Sequence, residues 1–203
     1  VCIMDDLLEI KEALAQEGRI QDWGNDWDSV LQSMQDRATG PKGFRLTRLQ
    51  RDALENESFF GHWGEKDFKG KNLIIQAATS AGKTLLSELA VIDALAHGKK
   101  VLVLVPLKSM VKERYTQFER DFRDTGKKIY ASSSDYQEND SNLIEGAYDV
   151  GILVYEKLFA MLCQPNCQIL ENCGLIVVDE LTMMGMEARG PKLEVALEIA
   201  MQR

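Results

Sequence analysis

The chain has 203 residues, of which 45% are hydrophobic and 28% charged, a size and balance typical of a globular protein with one substantial core. Its net charge of −8 is unlike that of a protein that binds nucleic acid by bulk charge. Most of this negative charge lies in residues 1–43, which hold nine acidic and four basic residues, so the charge of the remainder is nearly balanced. No apolar run approaches the roughly 20 residues of a membrane span, and no secretory signal is present. We therefore expect an intracellular protein without membrane contact, cytoplasmic or, in a eukaryote, nuclear.

The first 43 residues are predicted to form a helical N-terminal extension. Apolar residues recur at helical spacing in 4–17 and 26–36, and glycines interrupt both stretches. Trp27 is expected to dock this segment onto the rest of the protein. Further along, the aromatic side chains Phe59, Phe60 and Trp63 either stack on a base or pack under the sheet, and packing under the sheet is the favoured use.

Residues 44–203 are predicted to form one α/β domain. Five short runs are almost wholly apolar and are separated by helical stretches, which is typical of a doubly wound, mostly parallel sheet covered on both faces. These runs are LIIQA (73–77), VLVLV (101–105), KIYAS (128–132), VGILV (150–154) and LIVVD (175–179). Ligands of such sheets bind beyond the carboxyl ends of the strands, so chemistry is expected just after each run.

The stretch AATSAGKT (77–84) is predicted to be a phosphate-binding loop, because it lies between a predicted strand and a predicted helix. Backbone N–H groups would surround the phosphates, and Lys83 would reach the β- and γ-phosphates. Thr84 would offer its hydroxyl to Mg²⁺. The nucleotide-binding residues predicted here are Ala78, Thr79, Ser80, Ala81, Gly82, Lys83 and Thr84.

A pair of acids, Asp179 and Glu180, follows the last apolar run. We expect Asp179 to hold Mg²⁺ partly through water, and Glu180 to orient and deprotonate an attacking water. The alternative is that the two acids only cap the following helix. Clustered thiols at Cys163, Cys167 and Cys173 are expected to be reduced and partly buried rather than metal ligands.

These motifs together resemble those of the first RecA-like motor domain of superfamily 2 DExH/DEAD-box helicases. The resemblance covers about residues 44–203 and is closest to the branch of the archaeal repair helicases and the polymerase-theta helicase domain. It is carried by AATSAGKT (77–84), VPLKSM (105–110), VYEK (154–157), DELT (179–182) and RGPKLE (189–194). The sequence departs from the family pattern at Thr182, where the family has His or Asp, and at Val154, where threonine is common.

The resemblance implies an ATP- and Mg²⁺-dependent helicase that moves along single-stranded nucleic acid, DNA rather than RNA, as a monomer. It implies that Gln50 reads the adenine, and that Lys83 and Glu180 are catalytic. It also implies nucleic-acid contacts for five residues: Pro106, Lys108, Ser109, Glu156 and Lys157.

The chain starts at Val1 and stops before the family's Ser-Ala-Thr motif and second RecA-like domain, so we expect a fragment of a longer protein. That second domain would bring an arginine finger, which supplies roughly 10³–10⁵ in rate elsewhere, so the fragment alone is expected to be nearly inactive. Two alternatives remain: a P-loop kinase or nucleotide switch, and a nucleotide-dependent scaffold that does not unwind. Stimulation of ATP hydrolysis by nucleic acid separates the motor from both.

Overall fold

The protein consists of two compact units, residues 1–98 and 99–203. The computed structural model describes residues 6–20, 23–39, 43–56, 59–60, 72–78, 81–185, 187 and 190–202. The regular elements described in the first unit are helices, and the second unit contains a parallel sheet. No helix of these described ranges is long and apolar enough to cross a membrane.

The helices of the first unit are α1 (Leu7–Gln16), α2 (Asp28–Ala38), α3 (Arg48–Leu54) and α4 (Lys83–Ala96). Asp6 caps α1, where its carboxylate accepts from the backbone N–H of Leu8 at 2.7 Å. The two helices predicted for the N-terminal extension are confirmed as α1 and α2. Their apolar stripes face inward, with Leu7, Ile10 and Leu31 almost fully buried.

The extension packs against α4, the helix that begins at the phosphate loop. The indole Nε1 of Trp23 donates to the buried carboxylate of Asp93 at 3.0 Å, and Arg37 bonds to Glu88 at 2.9 Å. Trp27 is buried, as predicted. These contacts place residues 1–43 and the phosphate-loop helix in the same compact unit.

Aromatic packing continues beyond the extension. The ring of Phe60 is buried and lies edge-on to Trp23 with centroids 5.8 Å apart, and Phe59 contacts Phe60 at 4.8 Å. Phe60 is therefore a packing residue, but its ring contacts are with Trp23 and Phe59 of the first unit, so the expected place under the sheet is not where these contacts lie. Trp63 lies outside the described residues.

The strand predicted at 73–77 is wrong. Residues 72–78 have no regular secondary structure, and Leu73 and Ile74 are 41% and 74% exposed. A strand needs a hydrogen-bonded neighbour, and the described part of the first unit contains no strand. A run of four apolar residues and one glutamine has the same pattern whether or not such a neighbour is present, so the pattern alone could not decide between a strand and irregular structure.

The other four predicted strands are confirmed in the second unit, as β1 (Lys100–Val105), β2 (Ile129–Ser132), β3 (Val150–Val154) and β4 (Cys173–Val178). All pairings are parallel and the order is β2-β3-β1-β4, so the chain moves to one side of β1 and then to the other. The connecting helices are α5 (Lys108–Asp121), α6 (Asp140–Ile144), α7 (Tyr155–Leu162) and α8 (Gly190–Met201). The predicted α/β class with a parallel, doubly wound sheet is thus confirmed.

The core of the second unit lies on both faces of this sheet. On one face, Leu102 and Leu104 of β1 join a buried cluster with residues of α6, α7 and α8. On the other, Val103 and Val105 point the opposite way, since strand side chains alternate, and α5 covers them with Val111. Both faces of β1 and β3 are therefore buried, which is why their sequences lack polar alternation, whereas the residues of β4 are half-buried or exposed.

The three clustered cysteines form no disulfide. Cys163 is exposed, while Cys167 and Cys173 are half-buried, and burial raises the pKa of the Cys173 thiol to about 11. Within the described ranges, no three His, Cys, Asp or Glu side chains are grouped as metal ligands would be. Cys167 and Cys173 pack against the buried cluster of this unit.

Candidate functional site

The phosphate loop ends at Gly82, and α4 begins at the next residue. Gly82 has a φ of 89°, and a Cβ there would lie 2.3 Å from Nε2 of Gln50, so only glycine fits. The ammonium group of Lys83 donates to the carbonyl oxygens of Ala77 and Ala78, at 2.8 and 3.0 Å. Phosphate oxygens are charged and stronger acceptors than these neutral carbonyls, so a phosphate can take over these bonds.

The remaining predicted residues of the loop divide into two groups. Ala81 and Thr84 flank the start of α4, where orphan backbone N–H groups favour an anion, and both are half-buried. Thr79 and Ser80 lie outside the described residues, so their predicted roles stay predictions.

Gln50 lies against the phosphate loop, and the start of α3 holds the loop through it. Its Oε1 accepts from the backbone N–H of Thr47 at 2.8 Å, and its Nε2 donates to the carbonyl of Gly82 at 3.0 Å. Thr47 caps α3 and donates through its hydroxyl to the carbonyl of Ala81 at 3.0 Å. Adenine reading by Gln50 stays a prediction, while its support of the loop is a role that sequence reasoning missed.

The acidic pair lies at the carboxyl end of β4, in the second unit. Asp179 continues the sheet, because its N–H donates to the carbonyl of Leu104 at 2.9 Å, and its Oδ2 accepts from Arg114 at 3.1 Å. Glu180 has a φ of 57°, a left-handed conformation that a non-glycine residue adopts at a cost of roughly 1–3 kcal/mol. Such strain is kept where the side-chain direction matters, which favours a functional role over simple helix capping for Glu180.

Two partners of this pair were missed by sequence reasoning. Arg114 is 65 residues from Asp179 in the chain. Tyr155 is fully buried, and its hydroxyl donates to the backbone carbonyl of Asp179. Neither contact has a local sequence signal, since each depends on how α5 and α7 cross the sheet.

The RGPKLE motif lies beside the turn that follows the acidic pair. A Cβ on Gly190 would lie 1.9 Å from the carbonyl oxygen of Met184, so glycine at this position lets α8 start directly against the turn. Thr182 is exposed within that same turn. Arg189 lies outside the described residues.

The second unit also contains a cleft of about 620 Å³ at the carboxyl ends of β1, β2 and β3. All five residues predicted to contact nucleic acid line it, although they come from two separate motifs. The lining consists of Pro106, Leu107, Lys108, Ser109, Ser134, Gln137, Val154, Glu156 and Lys157. Ser134 and Gln137 belong to the loop after β2, which sequence reasoning identified only as a polar loop.

The two lysines of the cleft are held by the segment after β2, Lys157 by the first residue of α6 and Lys108 by the loop. Lys157 bonds to Asp140 at 2.5 Å, and the buried Ser132 donates to the other oxygen of the same carboxylate at 2.5 Å. Lys108 bonds to the hydroxyl of Ser134. Both ammonium groups are therefore positioned at the cleft, and Lys108 is exposed.

The phosphate-loop sequence, the acidic pair and the polar cleft at the strand ends define a P-loop NTPase of the helicase type. The chain belongs to the DEAD/DEAH box helicase family, which matches residues 63–202. The resemblance to the archaeal repair helicases is also confirmed. The chain is similar to the ATP-dependent DNA helicase Hel308 of Thermoplasma acidophilum, with 37% identity over 132 residues, or 65% of this chain and 19% of that protein.

Two further proteins to which this chain is similar are also helicases. Hel308 of Pyrococcus horikoshii is 36% identical over 127 residues, or 62% of this chain and 17% of that protein. The structure of Mycobacterium smegmatis helicase Lhr bound to ssDNA and AMP-PNP covers 86% of this chain and 22% of its own, with a TM-score of 0.60 and 26% identity. The chain thus spans about a fifth of the length of these proteins. Nothing in the comparisons supports a kinase or switch.

Proposed function

We propose that this chain is the ATP-binding motor domain of an ATP-dependent helicase or translocase that moves along single-stranded nucleic acid. The cleft carries this proposal, because it brings five residues from two separate motifs to one surface. Its lysines and hydroxyls are groups that bind a phosphate backbone, and the helices that start in it also bond to Asp179.

We assign the nucleotide chemistry to the loop and the acidic pair. Lys83 supplies positive charge to the β- and γ-phosphates, and the loop N–H groups from Ala78 to Thr84 bind phosphate oxygens. Glu180 orients the attacking water and accepts its proton. Gln50 contacts the adenine in addition to supporting the loop.

We also propose that the protein binds magnesium, on the chemistry of two oxygen donors. Mg²⁺ prefers oxygen ligands and keeps several waters, and the Thr84 hydroxyl and the Asp179 carboxylate are donors of that kind. The bond from Arg114 occupies Oδ2 of Asp179, but a carboxylate accepts several bonds. When bound, the ion would neutralise charge on the phosphates.

The relatives support our proposal for the track. Hel308 is named a DNA helicase, and the Lhr structure holds ssDNA, so we propose single-stranded DNA over RNA. A second RecA-like domain of the full-length chain would complete the motor. We further propose that it works as a monomer inside the cell.

Substitution of Lys108 by Gln tests the cleft. We expect weaker binding to single-stranded oligonucleotides of any sequence, because the lysine contacts backbone rather than bases. Loss of one phosphate contact should reduce the slope of log K against log salt by roughly 0.7. Fluorescence anisotropy of labelled oligo(dT) across a salt series, with the full-length protein, measures both quantities.

Lys128→Gln is the matched control. Lys128 is also exposed and lies before β2, at the opposite end of the sheet, so it removes the same charge away from the cleft. It should leave the slope unchanged. If the two variants lose affinity equally, the effect is one of net charge, and the cleft is not the track.

A further inference from the structure

Both helices that start at the cleft also reach the acidic pair. α5 begins at Lys108 in the cleft and places Arg114 on the side chain of Asp179 at 3.1 Å. α7 begins at Tyr155, whose neighbours Val154 and Glu156 line the cleft, and its hydroxyl bonds to the backbone carbonyl of Asp179. The cleft and the acidic pair are therefore joined by direct contacts.

The hydrogen bond from the Tyr155 hydroxyl holds a single peptide unit. The carbonyl of Asp179 and the N–H of Glu180 belong to one planar peptide unit. Because the hydroxyl holds that carbonyl, it fixes the orientation of the unit and with it the φ of 57° at Glu180. The direction of the Glu180 side chain depends on this angle.

Tyr155 is well placed to transmit a movement. Its side chain is fully buried in the cluster of α6, α7 and α8, so the ring moves with the start of α7. A strand bound in the cleft would contact Glu156 and Lys157, in the same turn of helix. Any shift of that turn is carried to the Asp179–Glu180 peptide.

We propose that Tyr155 is a positioning residue that couples nucleic-acid binding in the cleft to the orientation of Glu180. The inference rests on the proposed function and adds to it the route of coupling. Thr182 stands where the family has His or Asp, so a contact from α7 supplies a link that does not depend on that position.

Tyr155→Phe tests this in the full-length protein, because it keeps the buried ring and removes only the hydroxyl. We expect oligo(dT) affinity to change by less than about twofold, and basal ATP hydrolysis to fall only moderately because Glu180 is held less firmly. The ratio of oligo(dT)-stimulated to basal kcat should fall about fivefold, the effect of losing one ordinary hydrogen bond. A purely structural role would lower both rates together and leave the ratio unchanged.

Tyr148→Phe is a closely matched control. Tyr148 belongs to the same buried cluster, and its hydroxyl also donates to a backbone carbonyl, that of Ile169, but it lies before β3, at the opposite end from the cleft. The ratio of oligo(dT)-stimulated to basal kcat in Tyr148→Phe should equal that of the wild type. An unchanged ratio in Tyr155→Phe, or an equal loss in both variants, would overturn the coupling role.

A second measurement needs no variant. Saturating oligo(dT) should alter the amide hydrogen exchange of residues 176–185 in the wild-type protein, and unchanged exchange there would contradict the coupling. A wild type that binds oligo(dT) but shows no stimulated hydrolysis would instead overturn the proposed motor function, and the coupling with it. The two failures are therefore distinguishable.

Discussion

At the scale of single residues, the phosphate loop depends on one contact between a glycine and a glutamine. Gly82 has a positive φ and its carbonyl accepts from the amide of Gln50, which is itself held by the capped start of α3. The start of α3 supplies the donors of these hydrogen bonds and the loop supplies the carbonyl acceptors, so each depends on the other. The loop is therefore built by tertiary contact as well as by its own sequence.

Gly82→Ala should both destabilise the protein and weaken nucleotide binding. The positive φ costs an alanine roughly 1–2 kcal/mol, and its Cβ would in addition displace the amide of Gln50. We expect nucleotide affinity to fall by about tenfold, equivalent to roughly 1.4 kcal/mol. Urea unfolding and titration with a fluorescent ATP analogue measure the two effects.

Gly98→Ala separates the backbone effect from the clash. Gly98 also has a positive φ, of 68°, but no heavy atom lies within 4 Å of a Cβ built there. It should lose stability by roughly 1–2 kcal/mol and keep its nucleotide affinity. Equal losses of affinity in the two variants would contradict the account of the loop given above.

At the scale of elements, the N-terminal extension is attached to α4 by buried polar contacts. Asp93 and Glu88 are both almost fully buried, and they accept from Trp23 and Arg37 of the extension. A buried carboxylate requires such donors, so α4 and the extension depend on each other. The helix that presents Lys83 is thus supported by residues that precede the matched helicase region.

Trp23→Phe should lower the free energy of unfolding by about 1–3 kcal/mol, because Asp93 loses a buried donor. A double-mutant cycle with Asp93→Asn isolates this bond from the loss of ring volume. The cycle should show a coupling of at least roughly 0.5 kcal/mol in urea unfolding. Additive effects would mean that the indole N–H does not hold the extension.

The elements also show what the sequence could predict. The four strands of the second unit were found because each contains a largely apolar run, and in β1 and β3 this run is buried on both faces. Residues 73–77 have the same pattern but no strand partner, and pairing is a property that the pattern does not contain.

The same distinction, between local sequence pattern and contacts with distant residues, applies to the candidate site. The five cleft residues and the acidic pair were predicted because they belong to short motifs with the family's sequence. Thr47, Arg114, Ser134 and Tyr155 were missed, since each acts through a partner that is distant in the chain. Local sequence thus indicated the groups that we propose to act on ligands, whereas the groups that hold them became visible only in the structure.

At the scale of the whole molecule, the central claim is that nucleic acid drives ATP hydrolysis through Glu180. The most direct test is the ATPase rate of the full-length protein with and without single-stranded DNA or RNA, comparing wild type, Glu180→Gln and Glu171→Gln. Glu171 is an exposed acid before β4, at the other end of the strand from Glu180, so it controls for loss of charge.

We predict strong stimulation by single-stranded DNA in the wild type and in Glu171→Gln. In Glu180→Gln, the stimulated rate should fall by about 10²-fold or more, because the group that activates the attacking water is lost while nucleotide binding remains. A rate that is indifferent to both nucleic acids, or that survives in Glu180→Gln, would contradict the motor function proposed for this chain.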